Sequence, residues 1–148
     1  MKNVRKIFHL LSYLQYPLVA MALARLIFPL FRGFEFLSTH SEYLFSNYNQ
    51  MLIYYGLALS FSSLQDPTKT SLRYERKIWK TPRKAKVILF ATTVTMMLFF
   101  FTGFVGLMAD QPVMKEFTNG SFILSIGLLS YLKFQLDMYA IHTSAPQP

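Results

Sequence analysis

The chain has 148 residues, of which 53% are hydrophobic, 17% aromatic and 15% charged, with no cysteine and a formal net charge of +8. Soluble domains carry about 25% charged residues, and few pack so many aromatics into so short a chain. These values exclude a disordered chain, a disulfide scaffold, a collagen and a thiolate metal centre, and favour one bilayer-embedded domain over residues 1–148.

Four stretches are free of Asp, Glu, Lys and Arg: 7–24, 43–65, 87–109 and 117–132. A spanning helix needs ~20 mostly apolar residues at 1.5 Å rise each. The second and third stretches satisfy this directly. Arg25 and Lys133 interrupt the first and fourth, but apolar sequence resumes beyond them as far as Phe31 and Ile141. The pattern therefore predicts an all-α membrane protein, a four-helix bundle with transmembrane helices at about 8–31, 45–65, 87–109 and 120–141. Runs such as Val87-Ile88-Leu89-Phe90 do not alternate as barrel strands do. Residues 87–109 also lack the polar stripe of a soluble helix.

The start, with Lys2, Arg5 and Lys6 before an apolar run and Ala22-Leu23-Ala24, imitates a secretory signal. It is expected to be retained as the first span or a signal anchor. Pro17 and Pro29 predict bends near each end of that span. Within it, Arg25 stands about six residues, or ~9 Å, from the outer end. It is read either as a snorkelling or structurally paired arginine, or as a functional contact. The following connection is dense in aromatics, including Phe34, Phe36, Tyr43 and Phe45. Two readings apply: a short interfacial helix, or an early beginning of the second span.

Residues 66–86 form the most charged segment, with Lys69, Arg73, Arg76, Lys77, Lys80, Arg83, Lys84 and Lys86. Asp66-Pro67 is suited to stop the second helix. Residues 71–80, where Leu72, Tyr74, Ile78 and Trp79 mix with cations, read as a basic amphipathic helix on the cytoplasmic side. Arg73, Arg76, Lys77, Trp79, Lys80, Arg83, Lys84 and Lys86 are its expected surface for anionic phospholipids or an acidic partner. Nucleic acid is not expected there, because short cytoplasmic loops carry such charge anyway. Together with the N-terminal tail this segment holds eleven of the fifteen basic residues. The predicted topology therefore places both termini in the cytoplasm of a bacterial cell, with the chain in the inner membrane.

In the third span, Thr92, Thr95, Thr102 and Gly106 are spaced to form a helix-packing face. In the fourth, Lys133 and Asp137 stand four residues apart and can pair. Counted from Phe122, Lys133 falls near mid-bilayer and Asp137 in the cytoplasmic half. Gly127, Ser130, Lys133 and Asp137 share one broad helical face. Three readings apply to the pair: an internal ion pair against the bundle or a neighbouring subunit, a proton- or ion-coupling site, and a contact with charges on another protein.

His9, His40 and His142 sit at predicted interfaces and suggest no haem. No phosphate loop, H-E-x-x-H or G-x-S-x-G occurs, so neither an enzyme nor a cofactor or metal is expected. The strings SFSSLQDPTKT (60–70), KIWKTPRKAK (77–86) and KIFHLLSYLQYPL (6–18) resemble a family of small four-span membrane proteins from Bacteroidota-type bacteria. That family has no assigned activity, so the resemblance implies an inner-membrane location and transfers no catalytic residues. The resulting expectation is a non-catalytic accessory subunit of a larger inner-membrane assembly, such as an ion-driven motor or an energy-transducing, secretion or respiratory complex. Its partners would be other integral membrane subunits. The alternative is a small homo-oligomeric transporter or ion conductor using Lys133 and Asp137, with Arg25 near its outer mouth.

Overall fold

Proline and glycine set the boundaries of nearly every element. A computed structural model describes residues 2–66 and 78–144, and among them all regular structure is helical. The helices are α1 (Lys2–Ser12), α2 (Gln15–Ile27), α3 (Phe34–Thr39), α4 (Ser41–Ser62), α5 (Pro82–Met108) and α6 (Pro112–Ser144), with a 3-10 segment at Phe28–Arg32. The amphipathic helix expected over residues 71–80 lies largely outside the described residues, as do Lys69, Arg73, Arg76 and Lys77.

Pro17 has no N–H to offer the Tyr13 carbonyl, which instead accepts from Tyr16 at 3.2 Å. This tightening to i−3 bonds separates α1 from α2. Pro29 acts similarly at the far end, where the helix narrows into the 3-10 segment. Gly33 then turns the chain with φ +83°, a conformation a side chain would strain. Pro82 and Pro112 each occupy the first turn of their helices, where a missing N–H costs no intrahelical bond. The outer connection combines both sequence readings. A separate short helix covers Phe34–Thr39, while Tyr43–Phe45 already belong to α4.

The four long helical stretches do not close on themselves. Substantial packing joins α2 to α4, α4 to α6, and α6 to α5, with none between α2 and either α5 or α6, or between α4 and α5. The order α2–α4–α6–α5 describes an open layer rather than the expected bundle, with α4 and α6 in the middle.

Two seams hold the layer together. Between α4 and α6, Phe45 meets Phe117 edge-on at 5.5 Å and the Gly120 N–H donates to Asn49 Oδ1 at 2.8 Å. Further along, Gly127 and Gly56 bring the two backbones into contact, so a Cβ on Gly56 would stand 2.6 Å from the Ile123 carbonyl oxygen. Leu52, Leu124 and Leu128 fill the space beside them. Both sequences advance in the same direction, so α4 and α6 are parallel. Between α5 and α6, Gly103 lies under the Phe122 ring and Gly106 against Thr118. Phe100 and Phe104 close on Phe122 edge-to-face at 6.0 and 5.7 Å. These helices are antiparallel, as the short connection through residues 109–111 requires.

The accessible surface is 10533 Å². A compact folded monomer of this mass would expose roughly 7,800 Å². Large apolar side chains on the described helices make up part of the excess. Leu10 (71%), Phe31 (83%), Phe90 (71%) and Met108 (85%) are among the large side chains left open.

Candidate functional site

The ionisable residues embedded in otherwise apolar helices form two separate groups, at opposite ends of the layer. The first lies between α2 and α4. Asn47 is buried, and its Nδ2 donates to the Tyr43 carbonyl at 2.8 Å. That bond turns its Oδ1 toward Arg25, whose Nη1 donates to it at 3.4 Å. Arg25 is half-buried and, with Met21, Ala24, Phe28 and Tyr43, lines a cleft of about 330 Å³. Seven residues on, at the end of the 3-10 segment, the exposed Arg32 lies over the rings of Phe36 and Tyr43 at 5.6 and 6.0 Å. Tyr43 thus lines the cleft with Arg25 on one hand and lies under the Arg32 guanidinium on the other. No described carboxylate is within ion-pair distance of either arginine.

The second group is Lys133 and Asp137. They do pair, Nζ to Oδ2 at 3.7 Å, but their side chains are 83% and 52% exposed. The broad face read from the sequence divides: Gly127 is buried in the α4 seam, Ser130 bonds to the Ile126 carbonyl, and the charged pair stands open. Counting from Phe122 puts Lys133 near the middle and Asp137 in the cytoplasmic half, and the register of α6 on its neighbours shifts Lys133 off the middle. On α5, Gly103 faces Phe122 and Ala85 meets Met138, a register that brings Lys133 level with Ala91 and Asp137 near Val87. On α4, Asn49 faces Gly120 and Gly56 faces Gly127, which brings Lys133 level with the last turn before Ser62. Both registers place the pair toward the end of the layer that carries residues 78–86, not at its middle. The reason is that α6 begins at Pro112 and outruns both neighbours. Being exposed, the pair holds little stability. Asp137→Asn is expected to change it by less than about 1 kcal/mol, measured as the thermal midpoint in detergent.

At this same end Lys80, Arg83, Lys84 and Lys86 are exposed, as the sequence pattern suggests. Trp79 is not. It is buried with Ala85 and Met138, and Ile88, Leu89, Phe134 and Tyr139 pack around them. Its apolar surface therefore belongs to the α5–α6 seam and not to an open binding face.

Of the third-helix residues, Gly106 is buried against α6. Thr95 and Thr102 turn their hydroxyls back to the Ala91 and Leu98 carbonyls at 2.9 and 2.8 Å, and Thr102 is exposed. Thr92 is half-buried. The sequence reading passed over Gly103, which shares the close approach with Gly106 at a spacing of three. It also passed over Asn47, whose role follows only from the placement of α4 beside α2. In α6 the buried Ser121 and Gln135 keep an oxygen each without a hydrogen-bond partner.

Two stretches, Lys6–Arg32 and Pro82–Met108, are long and apolar enough to cross a membrane, and only 11% and 6% of their apolar windows are buried within the chain. Among the described residues, no group of three or more His, Cys, Asp or Glu is placed to hold a metal ion. No protein-family model, curated protein or solved structure matches the chain.

Proposed function

We propose that the chain is a four-span bacterial inner-membrane protein that serves as a non-catalytic accessory subunit of a larger membrane assembly. The observation that carries this reading is the open layer. A protein that conducted a solute alone would surround its pathway with helices, whereas here α2 and α5 flank a single row and present apolar surface on both sides. Water would penalise such exposure, and lipid or neighbouring apolar helices would not.

The helix directions fit four crossings: α4 and α6 are parallel, and α2 and α5 run against the neighbours they pack on. The two stretches that satisfy length and hydropathy alone are the outer ones. The two central helices carry Asn47, Asn49, Thr118, Ser121 and Ser125 among their apolar residues. Such small and polar groups suit helix–helix contact within a bilayer, where apolar surface by itself gives no reason for helices to associate. Basic residues gather at the end holding α1 and residues 78–86, which supports a cytoplasmic location for that end. Lys133 and Asp137 then lie near the cytoplasmic boundary, within reach of headgroups, water or a partner's charges.

A second reading is a homo-oligomeric conductor lined by Lys133 and Asp137. Their exposure favours it, since copies of the chain could face one another across the pair; their level near one boundary weighs against it. Copurification separates the two. Tagged protein extracted from its native membrane in mild detergent is expected to bring down other integral subunits in fixed ratio. A lone monodisperse species, or a homo-oligomer whose reconstituted ion flux is lost on Asp137→Asn, would overturn the accessory reading.

A further inference from the structure

The cleft between α2 and α4 has features that helix packing alone does not account for. Arg25 presents five N–H donors. Among the described residues it uses one, and that bond is long, at 3.4 Å, to a neutral amide. A half-buried guanidinium that serves only packing would be expected to have a carboxylate or several carbonyls around it. Instead a second guanidinium, Arg32, lies over the ring of Tyr43, itself a residue of the cleft wall, and no described acid is within ion-pair distance of either arginine. Two cations at one end of the layer with no described carboxylate within ion-pair distance favour an anion there.

We propose that this cleft binds a phosphate group, with Arg25 as the principal donor and Arg32 as the second cation. Guanidinium forks match phosphate oxygens in pairs, and a tetrahedral phosphate has enough oxygens to engage both arginines where one carboxylate would be saturated by one. Met21, Ala24 and Phe28 give the cleft an apolar wall, suited to the glycerol and upper acyl region of a phospholipid. The lipid source rests on the membrane reading above: the outer end of α2 is then at headgroup depth. A soluble phosphate would use the same donors.

The test uses the full-length protein in neutral detergent, in a background where Lys80, Arg83, Lys84 and Lys86 are glutamine, so that headgroups held at the opposite end do not contribute. Native mass spectrometry with an equimolar mixture of phosphatidylglycerol and phosphate-free diacylglycerol reads lipid retention, and calorimetric titration with inorganic phosphate reads the free anion. Phosphatidylglycerol is expected to be retained at least tenfold over diacylglycerol. Arg25→Gln should reduce that preference about tenfold, the loss of one charge-assisted contact, while Arg25→Lys keeps part of it. Asn47→Asp should abolish it, because it supplies Arg25 with an internal carboxylate at the cost of the Nδ2 bond to the Tyr43 carbonyl. This variant, together with an unchanged elution volume and Trp79 emission, keeps the test decisive if Arg25→Gln folds poorly. Phosphate binding that depends on Arg25 without lipid retention would assign the site to a soluble anion. Retention unaffected by both Arg25→Gln and Asn47→Asp, or equal for the two lipids with no phosphate binding, would overturn the proposal. Extraction of the native protein by alkaline carbonate would separately overturn the membrane reading and leave the phosphate titration to decide the site.

Discussion

Gly127→Val is expected to destabilise the protein by roughly 3 kcal/mol or more, at the upper end of overpacking penalties. At Gly127 the obstacle is the backbone of Gly56, and a Cβ at Gly56 in turn meets the Ile123 carbonyl. No rotamer change relieves either clash, so the α4 and α6 axes must separate. Separation would also loosen the Phe45–Phe117 contact, the Asn49–Gly120 bond and the Leu52–Leu124–Leu128 cluster, since these lie along the same seam. Thermal unfolding in detergent, followed by helical circular dichroism, measures the effect. Ser130→Ala is the control, because that hydroxyl bonds only to its own helix and its loss should cost under about 0.5 kcal/mol. If Gly127→Val melts with the wild type, the two helices do not meet at glycine and the layer is built differently.

The places of the helices were legible because the signals for them are local. Stretches free of charge locate α4 and α5 to within about five residues, whereas α6 begins at Pro112, well before the expected 120, and the first stretch is divided between α1 and α2 at Pro17. Their arrangement was not legible. Which helices adjoin depends on where two backbones can approach, and that requires facing small residues on both partners. Gly106 was singled out on α5, but its counterpart on α6 is Thr118 and its companion is Gly103, neither of which a one-helix pattern identifies. The threonines chosen with it show the limit of hydroxyl spacing as a guide. Thr95 and Thr102 satisfy themselves on their own helix and need no neighbour.

The charged residues illustrate the same division. Arg25 was read as paired or functional; that its hydrogen-bond partner is Asn47 follows only once α4 lies beside α2. Pairing of Lys133 with Asp137 is a property of spacing along one helix and was foreseen. Their depth is a property of register between helices. Lys133, expected near the middle, lies toward the end of the layer once Gly103, Ala85 and Gly56 fix the alignment of α6, and Asp137 stays in the half expected for it. The low overall charge of the chain favours an apolar environment, and in the open layer few of its residues are hidden by the chain itself.

Trp79→Ala is expected to cost about 3 kcal/mol, as removal of a large buried aromatic usually does. Trp79 is only 6% exposed and packs with Ala85 and Met138 where the chain turns into α5. In a bilayer the transfer of apolar surface contributes less than in water, but the cavity and the lost dispersion contacts remain. As the chain's one tryptophan, it reports on its own surroundings. Its emission should be blue-shifted and poorly quenched by acrylamide in the wild type. Met138→Ala should shift it to the red by opening one wall of the cluster while leaving the indole in place. Trp79→Ala should lower the thermal midpoint and, on the proposed accessory role, leave copurification unchanged, because the residue serves the α5–α6 seam. An indole freely quenched by acrylamide, together with an unchanged midpoint in the alanine variant, would return Trp79 to the exposed amphipathic face that residues 71–80 suggest.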